Sequence, residues 1–209
     1  MIRDFSSIII SAPAILFCVT IHEYAHAFAA YKLGDPTAKN LGRLTLNPFA
    51  HLDLIGTIAL LLFRVGWAKP VPINPIYFRV PRRDILISSL AGPGANFLCA
   101  MIFGLCLRVL LRYYVPANFL ILIIVMLFYY NIILGTFNLI PIPPLDGSKI
   151  VYYLLGEKSS QYYLYLEQYG LLILVGIIML SSLLGFSLFS ILIEPVIKLF
   201  SKIFIGFVL

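Results

Sequence analysis

Long apolar stretches without a charged side chain dominate this chain and predict membrane helices. They cover residues 5–21, 85–107, 113–145 and 168–193. About 20 apolar residues in a helix cross the hydrocarbon core of a bilayer. Each stretch is therefore long enough for one span, the first by continuing to residue 31. We expect an all-α polytopic membrane protein with four to five transmembrane helices.

Two further segments depart from this pattern. The tail, residues 195–209, is apolar but carries Lys198 and Lys202 four residues apart, which is typical of an amphipathic helix in the interface or of half of a fifth span. Between residues 34 and 84 the chain turns to Gly, Pro, Asn and short β-branched runs, which predicts extended strands and turns. Irregular backbone survives at membrane depth only against protein or a wet cavity. We therefore expect a re-entrant strand and loop region between the first and second spans.

Composition supports a membrane protein and argues against other classes. The mean hydropathy is +1.00 and only 11% of residues are charged, compared with about 25% in soluble domains. The net charge is +6, but the basic residues do not cluster with aromatic residues as in a nucleic-acid-binding face, so we expect no nucleic acid as a partner. We expect these lysines and arginines to lie beside the headgroups of the lipid bilayer. No cleavage pattern precedes the first apolar run, so the first helix should remain. Residues 1–209 are read as a single domain, with a catalytic core over 8–155 and a C-terminal span and tail over 156–209.

The most informative residues are His22, Glu23 and His26, which spell H-E-Y-A-H inside the first apolar stretch. At positions i and i+4 of a helix, both imidazoles project from one face and can share a zinc ion, with Glu23 beside them as a general base. The alternative is an accidental match, with both histidines hydrogen-bonded to neighbouring helices. Three ionisable groups in lipid are costly without a function. The motif therefore favours a zinc hydrolase in the membrane.

A hydrolytic zinc site usually has three protein ligands and one open position, so a third ligand is needed. The extended histidine motif is absent, and no glutamate occurs between Glu23 and Glu157. Asp146 follows a cluster of prolines that must break the third span, and this position favours Asp146 as the third ligand. The alternative is that Asp146 is a turn residue of the Leu-Asp-Gly bend. His51, close to Asp53, is the competing ligand. The other candidates are Asp35, Asp84, Glu157, Glu167 and Glu194.

Three ordered motifs resemble the site-2 protease family of intramembrane zinc metalloproteases, in its short prokaryotic form without PDZ or CBS domains. They are H-E-Y-A-H, A-G-P-G-A-N at 91–96, and N-L-I-P at 138–141 with L-D-G at 145–147; the resemblance covers about residues 11–149. It implies that His22, His26 and Asp146 bind one Zn²⁺ and that Glu23 activates water. It also implies that Asn96 and Asn138 lie near the site and hold the substrate or its oxyanion. The implied activity is regulated intramembrane proteolysis of single-pass membrane proteins.

A shared metal ion would place the ends of the first and third spans on one side of the membrane. Most of the basic residues then fall on that side, which the positive-inside bias makes cytosolic in the cell membrane of a prokaryote. The nine residues from Glu23 to Lys32 put the catalytic centre roughly 14 Å below the interface. The residues on the shared side are Lys32, Lys39, Arg43, Lys69, Arg79, Arg82, Arg83, Lys149 and Lys158, and those opposite are Arg3, Arg108 and Arg112.

Two other functions compete with proteolysis of this kind. A zinc-binding membrane protein or metal transporter would use the same three ligands as a transit site, but transporters typically show paired repeats with broken helices, and no repeat is visible. A protease of the prenyl-protein type shares H-E-x-x-H but needs a distal glutamate ligand. Glu157 and Glu167 lie in a tyrosine-rich stretch that offers little support for that role.

Overall fold

The computed structural model describes residues 2–63, 66–113, 119–155, 160–184 and 188–207. Within these segments the backbone is helical, with turns and loops between the helices and no β-strand. Short 3-10 turns occupy Pro48–His51 and Pro75–Tyr77, and a π-helical turn covers Ser201–Ile205. The helices are α1 (Ile2–Lys32), α2 (Thr37–Asn40), α3 (Leu54–Phe63), α4 (Pro81–Arg112), α5 (Phe119–Asn138), α6 (Asp146–Leu155), α7 (Ser160–Leu183) and α8 (Leu188–Phe200).

The centre of the fold is formed by α1, α4 and α5. Helix α4 packs against α1, α5 and α6, and α1 also contacts α5. Helix α1 runs without interruption through the histidine motif to Lys32, as the sequence predicts. The predicted second span lies within α4, which tolerates Pro93 in its interior. The motif therefore faces two long apolar helices.

Helices α4 and α5 are long and apolar enough to cross a membrane. Their most apolar windows have mean hydropathies of 1.9 and 2.3, and only 22% of each window is buried inside the protein. The core helix of a soluble protein would instead be mostly buried. The outward apolar surface is consistent with an integral membrane protein. The number of spans beyond these two helices stays a prediction.

The proline cluster ends the third apolar stretch as predicted. Helix α5 stops at Asn138, and tight turns follow, in which Ile142 N donates to Ile140 O at 2.8 Å and Leu145 N donates to Ile142 O at 3.0 Å. Proline at 141, 143 and 144 cannot donate a helical hydrogen bond. The start of the predicted stretch, residues 114–118, lies outside the described residues.

The prediction of extended strands between residues 34 and 84 is wrong for the described part of that region. One isolated antiparallel bridge joins Leu52 and Ala68, and residues Leu54–Phe63 form α3. The reason is a helix cap. The Asp53 carboxylate accepts a hydrogen bond from Gly56 N at 2.7 Å, which satisfies a free donor of the first turn and starts a helix in the apolar run that follows.

The fourth apolar stretch, residues 168–193, does not form one helix. Helix α7 ends at Leu183 and α8 begins at Leu188, while residues 185–187 lie outside the described part. Helix α8 and the π turn pack against α4 and α5. Ile205 is buried there with Leu107 and Phe128. The number of membrane crossings made by α7 and α8 stays a prediction.

Candidate metal centre

Three buried acceptor atoms converge where α1 meets the start of α6. The Nε2 atoms of His22 and His26 lie 3.0 Å apart. Asp146 Oδ2 lies 3.1 Å from His22 Nε2 and 3.0 Å from His26 Nε2. The three residues are 5%, 6% and 8% exposed in the order His22, His26, Asp146. The structure thus brings together the three metal ligands implied by the sequence.

The turn before α6 places Asp146 at this position. Leu145 O accepts hydrogen bonds from Ser148 N at 3.1 Å and Ser148 Oγ at 2.7 Å, which closes the first turn of α6. Gly147 packs on the backbone of Leu139, so the two ends of the proline turn lie in direct contact. A side chain at the first position of α6 is thereby directed toward α1.

Hydrogen bonds to acceptors on α4 fix the tautomer of both histidines. The carbonyl of Ser88 only accepts, so His26 Nδ1, at 2.6 Å, donates to it. His22 Nδ1 lies 2.6 Å from Asn96 Oδ1, also an acceptor, and donates in the same way. A neutral imidazole with its proton on Nδ1 presents a lone pair at Nε2. Both lone pairs then face the carboxylate of Asp146, and such a set of acceptors attracts a cation.

The donor set fits a zinc ion. Two imidazole nitrogens and one carboxylate oxygen form a ligand set of catalytic zinc, which leaves one position open. Zinc–ligand bonds of about 2.0–2.1 Å at tetrahedral angles would separate neighbouring ligand atoms by about 3.3 Å. The three acceptors here are 3.0–3.1 Å apart. His22, His26 and Asp146 would therefore hold the ion with little rearrangement.

Glu23 is half-buried next to this group. Its Oε2 accepts a hydrogen bond from the backbone N–H of Val71 at 2.8 Å. Val71 stands between Pro70 and Pro72, which have no N–H, so it offers the single backbone donor of this tripeptide. Proline also favours an extended backbone in the residue before it. The segment 70–72, called the strap below, is therefore stiff, and its one N–H orients the Glu23 carboxylate.

The loop segment that carries Val71 is anchored on both sides by backbone hydrogen bonds. Lys69 N donates to His51 O at 2.9 Å, and the Arg43 guanidinium donates to Lys69 O at 2.6 Å. Beyond the strap, Asn74 N donates to the buried Asp35 carboxylate at 2.7 Å. These contacts assign Asp35 and His51 to the support of the loop.

The other candidate ligands also have different partners. His51 Nε2 donates to Thr45 O at 2.9 Å. Asp53 caps α3, and Asp84 pairs with Arg83 at 2.7 Å near the start of α4. Glu167 and Glu194 are exposed, and Glu157 lies outside the described residues. Among the described His, Cys, Asp and Glu side chains, the group suited to a metal ion is His22, His26 and Asp146.

The two asparagines implied by the resemblance differ in their contacts. Asn96 is fully buried and contacts His22 through Oδ1. Its Nδ2 donates to Cys18 O at 3.1 Å and to Asn131 Oδ1 at 2.9 Å, so both amide hydrogens are engaged within the helix bundle. Asn138 Nδ2 donates to Leu134 O of its own helix at 3.0 Å. A direct role of either residue at an oxyanion stays a prediction.

Sequence reasoning missed Ser88, Val71 and Asn131. Ser88 and Val71 act through backbone atoms, so their side chains gave no signal. Asn131 did leave a signal, because an amide in the middle of an uncharged span is costly unless it is paired. Gly92 belongs to a motif that the sequence identifies, and in the structure it lets α4 approach both imidazoles without an intervening side chain.

Known proteins share much of this sequence. The profile of "Peptidase family M50" matches residues 113–183. Two relatives are each named "Putative zinc metalloprotease". YwhC of Bacillus subtilis is 40% identical over 194 residues, which covers 88% of each chain. Rip2 of Mycolicibacterium smegmatis is 30% identical over 174 residues, which covers 80% of this chain and 66% of the relative. No solved structure is significantly similar to the chain.

The similarity to YwhC extends over nearly all of both proteins. The resemblance inferred from the three ordered motifs is confirmed at the level of the family. By this extent of shared sequence, the chain belongs to peptidase family M50, the site-2 protease family of zinc metalloproteases.

Proposed function

We propose that this protein is an intramembrane zinc protease that cleaves single-pass membrane proteins in or near their transmembrane segment. One observation carries the proposal. The Nε2 lone pairs of His22 and His26, both held in the Nδ1-protonated tautomer, meet the Asp146 carboxylate in a buried site beside the apolar helix α4. Such a site lies where a membrane helix could be presented to it. The single-pass class of substrate follows from the family resemblance and from this apolar setting.

The residues supply the parts of a hydrolytic site. One zinc ion held by His22, His26 and Asp146 would activate the attacking water and polarise the scissile carbonyl. Glu23 acts as the general base and takes a proton from that water. Its Oε2 is held by Val71 N–H, so the carboxylate is already oriented for the proton transfer.

A transmembrane substrate must unwind before it can react. The carbonyls of a helix are occupied by internal hydrogen bonds and are shielded by side chains. Hydrolysis also needs water at the site, so a polar path must reach it. We propose that this path opens to the cytosol, because most basic side chains fall on the membrane side shared by the ends of α1 and α5.

The test compares Glu23→Gln with wild type in cells that co-express a single-pass reporter. Cleavage should fall by at least about 100-fold because the general base is lost, while the purified variant keeps its zinc. Glu194→Gln makes the same substitution at an exposed residue that pairs with Lys198 at 2.7 Å, and it should cleave normally. Normal cleavage by Glu23→Gln would refute the assigned base.

The competing transport function predicts a different result. If the three ligands formed a transit site, proteoliposomes would show a zinc flux that depends on Asp146, and wild type would leave the reporter intact. Absence of cleavage with zinc flux would overturn the proposed protease. Cleavage that is lost in Asp146→Ala, without flux in wild type, would support it.

A further inference from the structure

We infer that Asn131 is a positioning residue of the metal centre, acting on His22 through Asn96. The inference rests on the proposed zinc site and adds a residue of α5 to it. Asn131 touches none of the three acceptors. Together with the carbonyl of Cys18, it sets the orientation of the Asn96 amide, which in turn sets which nitrogen of His22 carries the proton.

The direction of the hydrogen bonds is fixed at the α5 end. Asn131 Nδ2 lies 2.7 Å from the carbonyl of Leu127, one turn earlier in α5. A carbonyl only accepts, so the NH₂ group of Asn131 must point to it, and Oδ1 must point the other way. That oxygen then accepts a hydrogen bond from Asn96 Nδ2 at 2.9 Å.

The same logic continues through Asn96 to α1. With its NH₂ group engaged by Asn131 and by Cys18 O at 3.1 Å, Asn96 presents Oδ1 to His22 Nδ1. A reversed amide would present NH₂ there and favour the proton on Nε2. A proton on Nε2 blocks the lone pair that a metal ligand needs. The amide orientation thus decides whether His22 can bind a cation.

The hydrogen bonds that run from Asn131 through Asn96 to His22 are called the relay below. Burial makes it costly to reverse either amide of the relay. Asn96 and Asn131 are both 0% exposed, and their hydrogen bonds join α1, α4 and α5. An amide left unpaired there would be costly. If the Asn96 amide were reversed, its NH₂ group would face the N–H of His22, and its oxygen would face Asn131 Oδ1. These two hydrogen bonds and the one to Cys18 O would be lost together, so the orientation is held from α5 and from α1.

The experiment measures zinc affinity of the purified full-length protein by competition with a chromogenic chelator. Asn131→Leu keeps the branching and the number of side-chain heavy atoms but makes no hydrogen bond. Its zinc affinity should be weaker by about 10- to 100-fold, as is typical when the support of a metal ligand is removed. In Asn131→Asp the buried carboxyl is expected to be protonated, so its hydroxyl can donate to Leu127 O and its other oxygen can accept from Asn96. It should lose less affinity than Asn131→Leu.

A double-mutant cycle separates this role from simple packing. In an Asn96→Leu background the relay is already broken, so adding Asn131→Leu should change zinc affinity by no more than about twofold. Independent, multiplying losses in the double variant would overturn the inference, as would wild-type zinc affinity in Asn131→Leu. An equal loss in Asn131→Asp and Asn131→Leu would also overturn it.

The outcome is independent of the proposed proteolysis. A wild type that binds zinc but leaves the reporter uncleaved would defeat the protease and leave the relay standing. Unchanged zinc affinity in folded Asn131→Leu, checked by thermal unfolding of the metal-free protein, would defeat the relay and leave the protease standing.

Discussion

Gly92 on α4 lies directly against the imidazole of His26 on α1. A Cβ atom built at Gly92 would be 2.3 Å from His26 Nε2 and 2.7 Å from Cε1 of His22. Real Cβ contacts are never this short, so the two helices can approach only because this position has no side chain. The contact lies at the atom whose lone pair faces Asp146.

Gly92→Ala should therefore abolish zinc binding, or weaken it by at least about tenfold, because the methyl group displaces His26 Nε2. Gly94→Ala is the matched control. It makes the same change two residues later in α4, where a Cβ would meet no atom within 4 Å. Zinc stoichiometry of the two purified variants tests this prediction. Equal zinc contents in the two variants would show that zinc binding by His22 and His26 does not need the close approach of α4 at Gly92.

Val71→Pro should slow the reaction without affecting the metal. It removes the N–H that holds Glu23 Oε2 but keeps the extended backbone favoured by the neighbouring prolines. Loss of one hydrogen bond to a carboxylate corresponds to a kcat lower by about 10- to 100-fold, with little change in KM. Steady-state kinetics on a purified reporter measure both constants.

Val71→Ala is the control for that prediction, because it keeps the N–H and removes only the side-chain contacts with the cluster that contains Ala27 and Ala38. Its kcat should stay near that of wild type. If both variants lose the same activity with the same zinc content, the side chain of Val71 matters and the hydrogen bond to Glu23 does not.

Gly147→Ala should disrupt the turn that presents Asp146. A Cβ at Gly147 would be 2.2 Å from the carbonyl oxygen of Leu139, a backbone atom that cannot move aside cheaply. We expect a lower melting temperature and a lower zinc content together. Gly176→Ala, where a Cβ would meet no atom within 4 Å, should change neither. Wild-type zinc content in Gly147→Ala would contradict the tight packing of this turn.

Chelation should lower the melting temperature of wild type but not that of Asp146→Ala. An ion that binds only the folded state stabilises it, by about 2.7 kcal/mol at a free concentration 100 times the Kd. Without Asp146 the site loses its charged ligand and should hold no ion under the same conditions. Thermal unfolding with and without a chelator, for both proteins, gives the comparison. An equal response of the two would assign the stabilising ion to another place.

The sequence carried most of the information for the metal ligands. His22 and His26 are marked by helical spacing, and the prolines before Asp146 mark a break where a carboxylate is presented. Their convergence also follows from the resemblance. The supports are harder to predict, because Ser88 and Val71 act through backbone atoms that every residue except proline possesses in equivalent form.

The region between α1 and α4 was predicted less well. Its glycines and prolines indicate turns, but they do not reveal that Asp53 would cap a helix, since a cap and a metal ligand use the same carboxylate. Asp35 has the same ambiguity, and its role in holding Asn74 depends on a contact between residues far apart in the sequence. Tertiary contacts decide such cases.

The supports of the two histidines also restrict how the molecule can move. Ser88, Gly92 and Asn96 follow one another at four-residue intervals along α4, with His26 bonded at one end of this row and His22 at the other. A shear of α1 by one turn along α4 would break both bonds and push Gly92 away from the rings. On the proposed function, opening for a polypeptide would therefore take place elsewhere, with these two helices moving as one unit.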